Sequence, residues 1–343
     1  MKTLNGIITF LVVFTQVSGC GRKSDRKKSQ PDIPEAGFVD KNKPAEVDLT
    51  NHIIFDKRVT DQAKAGLRED FLWIERYDLN TNASNDKALT EILQVQNLKA
   101  GSLTGWLKER IHYLIAEDLS VYKLAAINPG AKQLAIDYIP PAEDPEGNKS
   151  LAAAMIGTAL FQASGALRRA DPKYSYASID INDEWIDANV LRNGVMQIGP
   201  ALFNPDAQPS EKVNAYANSA FRVSVLFHEA RHADGNFNAG SFGFSHIPCP
   251  ADAGIAQEFV GKPACDDSAN GAYSVGYFVL KAYIAKCGNL CTAREKTVLN
   301  SILLDALSRV VKPKDGSALP VRDLTPEKGF PKIDISGFTE IGS

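Results

Sequence analysis

The chain has 343 residues, a formal charge of −3, and 23% charged and 44% hydrophobic residues. Those proportions exclude wholesale disorder, a collagen-like repeat and a disulfide-dense mini-protein. Lys plus Arg (38) nearly balances Asp plus Glu (41), so no nucleic-acid partner is expected.

Residues 1–19 read as an export signal. Lys2 gives a positive start, Ile7 to Phe14 a short apolar run, and Val17-Ser18-Gly19 a cleavage-type end before Cys20. The run is too short to span a bilayer, which needs about 20 apolar residues. Val17-Ser18-Gly19-Cys20 resembles a bacterial lipobox. That resemblance implies cleavage before Cys20, a lipid on its thiol, and a protein anchored in the bacterial cell envelope. Gly21, where an aspartate would signal inner-membrane retention, favours the outer membrane. Residues 20–46 are rich in Lys, Asp, Ser and Pro, a composition that cannot bury enough surface to order itself. They are expected to form a flexible tether, with Arg22-Lys23 and Arg26-Lys27-Lys28 solvated or touching lipid headgroups.

The body, residues 47–312, is expected to be α+β and mainly helical. Apolar residues recur at helical spacing over 103–117, 150–169, 212–233, 270–286 and 292–311. Thr292 is placed to cap the last of these. Alternation and β-branched residues predict strands over 174–181 and 195–203. Pro313 is expected to stop the last helix, and residues 313–343 to form an irregular wrap. Five cysteines are present. Setting Cys20 aside leaves Cys249, Cys265, Cys287 and Cys291, which in an oxidising compartment should form two disulfides. Three pairings are possible; Cys249–Cys265 with Cys287–Cys291 is favoured because the second pair brackets a Gly288-Asn289 turn. A structural zinc cluster is the alternative, but the short paired spacings it prefers are absent.

The chemistry concentrates in His228-Glu229-Ala230-Arg231-His232. On a helix, residues four apart share one face, so two imidazoles can share one metal ion at about 2.0–2.1 Å. Glu229 lies about 100° further round the helix, beside the metal rather than on it, where a carboxylate can take a proton from a water on the metal. Zinc suits imidazole donors and lowers that water's pKa to about 7. Gly235 follows as a helix stop. No phosphate-binding Gly-rich loop and no G-x-S-x-G elbow occurs, and paired cysteines leave no catalytic thiol.

The pentad resembles the zinc-binding helix of the zincin metallopeptidases. In that family a small sheet lies over the helix, and its edge strand runs along the cleft and pairs with the substrate backbone; residues 194–199 would be that edge here. The wider pattern resembles a group of exported bacterial proteins in which H-E-A-R-H-x-D-G is followed by a His, a C-P pair, an A-C-D and an N-G-x-Y. The matching residues are His228 to Gly235, His246, Cys249-Pro250, Ala264-Cys265-Asp266 and Asn270-Gly271-Ala272-Tyr273. The resemblance implies a third ligand. Asn238 stands where metzincins carry a His, which excludes that subgroup. His246 is the first choice, beside an expected disulfide that would hold it. Asp266 or Asp267 would suit an aspzincin-like site, although Tyr273 lies further along than that pattern has it. Glu258 would suit a gluzincin-like one. Asp266 can equally cap the helix that follows. Asp234 is placed to take the second N–H of a ligand histidine, or to be a turn residue. Tyr273 is either a core residue or a donor to a substrate carbonyl, and Arg222 and Arg231 are read as structural.

The expected protein is thus an envelope-anchored zinc peptidase, with Glu229 as base and His228, His232 and His246 as metal ligands. Its expected partner is a protein or peptide, with the peptides of peptidoglycan cross-links as one case. The rival expectations are an anchored binding or structural module with a non-catalytic zinc, and a toxin-like peptidase with a single target.

Overall fold

The computed structural model describes residues 49–79, 87–95, 98, 101–118, 121–127, 136–139, 152–156, 166–169, 175–187, 192–234, 244, 246–251, 254–321 and 339–341. All lie in the unit formed by residues 45–343. The expected signal, Cys20 and the tether lie outside the described residues.

The helices are α1 (Leu49–His52), α2 (Asp61–Leu79), α3 (Lys87–Leu93), α4 (Ser102–Lys108), α5 (Tyr216–His232), α6 (Ala272–Ala285) and α7 (Ala293–Ser308). The strands are β1 (Ile54–Phe55), β2 (Tyr113–Ile115), β3 (Leu124–Ile127), β4 (Ile136–Ile139), β5 (Ala153–Ile156), β6 (Ala166–Arg169), β7 (Ser175–Ile181), β8 (Glu184–Asp187), β9 (Val195–Ile198), β10 (Ile247–Pro248), β11 (Pro263–Cys265) and β12 (Thr339–Ile341). The fold is α+β, as expected. Among the described residues no helix is long and apolar enough to cross a membrane.

Helix α5 is the axis of the core. Ala217, Ala220, Val223, Leu226, Phe227 and Ala230 are fully buried, and α2, α6 and the strand β5 pack around it. Burying each large apolar side chain contributes about 1.5–3 kcal/mol. Two polar devices fix the helix lengthwise. At its start the Asn218 amide donates to the Ser210 and Lys212 carbonyls and accepts the Ser210 N–H. Midway, Arg222 makes a bidentate pair with Asp70 of α2, at 2.6 and 2.9 Å, with both groups buried. This bears out the structural reading of Arg222.

One sheet lies beside α5, in the order β1-β2-β9-β5. β1, β2 and β9 are parallel, and β5 runs antiparallel to β9 with Met155 opposite Met196. Gly194 leads into β9. Its carbonyl accepts from the His112 and Tyr113 N–H groups, and a Cβ there would collide with the Arg110 carbonyl. β9 is therefore an inner strand, and among the described residues the edge beside α5 is β5, which corrects the expectation that 194–199 forms the edge.

Three further expectations change. Residues 150–169 are not a helix where described: 153–156 and 166–169 are strands. The helical preference of alanine is worth only tenths of a kcal/mol per residue over most others, and pairing with β9 outweighs it. The 103–117 helix ends at Lys108, and 113–115 enter the sheet as β2. Ile111, Leu114 and Ile115 suit either element, because a short apolar run does not separate a helix from a buried strand. The last helix stops at Ser308 rather than at Pro313, and 339–341 pair antiparallel with β3, so the tail is not irregular throughout. The longest helix, α2, is absent from the periodicity reading. Its Ala63, Leu67, Phe71 and Ile74 recur at helical spacing and are buried, but Arg68, Glu69 and Asp70 between them dilute the signal. The expected segments around α5, α6, α7, β7 and β9 are present. Thr292 caps α7 in a reciprocal box with Glu295.

Candidate metal centre

The last turn of α5 carries His228 and His232 on one face, and their Nε2 atoms lie 3.3 Å apart. His246 enters from the residue before β10, its ring centroid 5.2 Å from that of His228 and 4.6 Å from that of His232. Each histidine offers one ring nitrogen, and the three nitrogens lie within 4.8 Å of one another. Among the described residues this is the one group of three or more metal-binding side chains so placed.

The donor set fits zinc. Bonds of about 2.0–2.1 Å in a tetrahedron place neighbouring nitrogens about 3.3–3.4 Å apart, which the α5 pair already matches. Burial, then repulsion from His232, His246 and Arg309, holds the pKa of His228 well below its usual value. The imidazole is thereby kept neutral, the form that ligates. Its ring also hydrogen-bonds the Ala272 backbone.

The remaining ligand choices separate. Asp266 is not in the triad but stands directly behind it. Its Oδ1 lies 2.8 Å from His246 Nδ1, and its Oδ2 accepts the Tyr273 N–H at 2.7 Å. One carboxylate therefore orients His246 by its second nitrogen, as ligand histidines are commonly held, and also closes the first turn of α6. Gly271 makes room for it, since a Cβ there would overlap the Asp266 carboxylate. Asp267 is outside the triad. Glu258 falls in the short 3-10 turn Gln257–Phe259, and its side chain lies outside the described residues.

Glu229 is 8% exposed. Burial pushes its pKa up to about 8, against a hydrogen bond from the Met155 backbone. The edge strand thus touches the carboxylate beside the triad. Tyr273 packs edge-on to His228 at 4.6 Å and against His246 at 4.7 Å. Its hydroxyl accepts from Arg309 at 2.7 Å, and burial raises its pKa to about 12. Sequence reasoning passed over Arg309 because it lies 36 residues beyond Tyr273.

Asp234 does not support a ligand histidine. Its carboxylate takes Arg110 and Arg192 at 2.7 Å each and Arg231 at 2.8 Å. Arg192 also donates its backbone N–H to the Ala233 carbonyl. Three guanidinium groups on one buried carboxylate secure the end of α5, so Arg231 is structural, as expected. The disulfides are Cys249–Cys265 and Cys287–Cys291, as favoured from spacing. Comparison with known proteins finds no matching family, no matching curated protein and no matching solved structure.

Proposed function

We propose that the protein is a zinc-dependent peptidase, held at the bacterial cell envelope by lipid on Cys20. The observation that carries the reading is the convergence of three imidazoles beside a buried glutamate that an edge strand also contacts. Its resemblance to a zincin cleft lies in that arrangement: the pentad helix, a mixed sheet beside it, and an antiparallel edge strand at the glutamate.

His228, His232 and His246 would hold the metal, leaving one position open as catalytic sites require. A bound zinc ion supplies Lewis acidity and brings a coordinated water to a pKa of about 7. Glu229 accepts the proton from the attacking water and returns it to the leaving amine. A cation held by the three imidazoles would favour the carboxylate form of Glu229, the form that accepts a proton. Tyr273, receiving a hydrogen bond from Arg309, keeps its own proton to donate to the substrate carbonyl oxygen. β5 presents its outer edge to an extended peptide, which would add as a further strand.

Replacing Glu229 by Gln tests the assignment. Peptide hydrolysis should fall about 10²–10⁴-fold, the usual weight of general acid–base catalysis, with zinc still bound. Full residual activity would remove Glu229 from the chemistry. Parallel assay of a peptide library and of muropeptides assigns the substrate to proteins or to peptidoglycan cross-links.

A further inference from the structure

The metal ligands have unequal support. His228 and His232 stand on a helix packed on all sides by the core. His246 stands at the mouth of a ribbon in which β10 contributes two residues and β11 three. So short a pair is not stable in water on its own. The Cys249–Cys265 bond crosses this ribbon. Cys249 lies three residues after His246, and Cys265 is followed directly by Asp266, which holds the His246 ring. Ile247 pairs with Cys265, the Cys249 N–H donates to Lys262, and the Gly261 N–H donates to Cys249. The Asp266 backbone is in turn tied to the Arg309 carbonyl and the Val311 N–H.

From this we infer that the Cys249–Cys265 disulfide is a positioning element of the metal centre, so that the third imidazole is held in register with the α5 pair only once that bond has formed. The inference rests on the triad being a metal site. The bond forms by exchange: the two thiols lose two protons and two electrons to an external disulfide such as glutathione disulfide, which leaves as two thiols. Both sulfurs are buried, with Cys249 2% and Cys265 0% exposed. Once formed, the bond is shielded, so it acts as a lock set during maturation. In the reduced chain the α5 pair persists, while His246 and Asp266 lose the cross-link that keeps them in register. Metal loading therefore follows oxidation, in keeping with an exported protein. The Cys287–Cys291 bond spans the turn from α6 to α7 and carries no ligand, which makes it the internal control.

The test is zinc affinity, measured by competition with a chromophoric chelator. A C249S/C265S double variant should bind zinc about 10–100-fold more weakly than the wild type, the range seen when groups behind a ligand are removed. C287S/C291S should stay within about twofold, as expected for a site with no shared partner. Equal affinity in all three proteins overturns the inference and leaves the metal site standing. A wild-type protein that takes up no zinc overturns both. A second measurement needs no variant. The native oxidised chain is treated with a phosphine reductant, with and without zinc, and the freed thiols are alkylated and counted by mass spectrometry. Zinc should slow opening of Cys249–Cys265 at least about tenfold by suppressing local unfolding of the ribbon, and leave Cys287–Cys291 unchanged. Equal rates for Cys249–Cys265 with and without zinc overturn the inference, even if the double variant cannot be prepared folded.

Discussion

The end of α5 and the ribbon around His246 hold the same kind of side chain by different means. On α5 the spacing of two histidines follows from helix geometry, and the helix is fixed by its buried apolar surface, the Asp70–Arg222 pair and the Asp234 cluster. Among the described residues, no helical repeat sets the position of His246. A five-residue ribbon, one disulfide and one carboxylate bring the ring into place. The difference teaches that a site can be half written in a repeat of the backbone and half in cross-links between distant segments. The first half should tolerate changes at the surface but not in the core. The second should fail when any one tie is cut.

The largest effect expected from breaking this contrast is on the α5 side. Asp70→Ala leaves Arg222 buried without its anionic partner, which should cost about 3–5 kcal/mol of stability, read by urea unfolding. Zinc affinity of the molecules that remain folded should hardly change. His232→Ala removes a ligand from the rigid half, and zinc affinity should fall by more than the about 100-fold upper range for outer groups. On the ribbon side Asp266→Asn should weaken zinc about 10–100-fold with little loss of secondary structure by circular dichroism. If Asp266→Asn unfolds the protein while Asp70→Ala does not, the contrast is reversed.

A smaller effect sharpens the comparison through pH. Burial raises the pKa of Glu229 from its ordinary 4.5 to about 8. Between those values the unfolded chain gives up this proton and the folded chain keeps it, so the metal-free protein loses stability from this group as pH rises. Glu229→Gln has no such proton. Its stability relative to wild type should therefore grow across that window and level off above about pH 8. Urea midpoints of both proteins in excess chelator, taken across the window, check the sign. A gap that does not change with pH would place Glu229 in a wetter setting than its burial implies.

Much of the α5 half was legible in the sequence. The pentad places two imidazoles of the triad and their neighbouring carboxylate outright, and Val223 to Phe227 state that the helix is buried. Both disulfides and the Thr292 cap followed from parity, spacing and capping chemistry. What was not legible depends on partners far along the chain. β5 is Ala-rich, so its pairing with β9, some 40 residues on, outweighs its local preference. Asp234 lies two residues from His232, yet its carboxylate is turned toward Arg110 and Arg192, which no spacing rule foretells. Asp266 was weighed as a ligand or as a cap. Its Oδ2 accepts a first-turn N–H of α6 although Gly271 is the N-cap, and the imidazole on its other oxygen comes from the residue before β10.

The three cations gathered on Asp234 set a limit on portability. Moving His228 to His232 onto a foreign scaffold would carry Arg231 along without the acid that neutralises it. A graft of that turn would thus import an uncompensated charge into its new host. The smallest transplantable unit is the turn extended to Asp234, which brings with it the acid that pairs with Arg231.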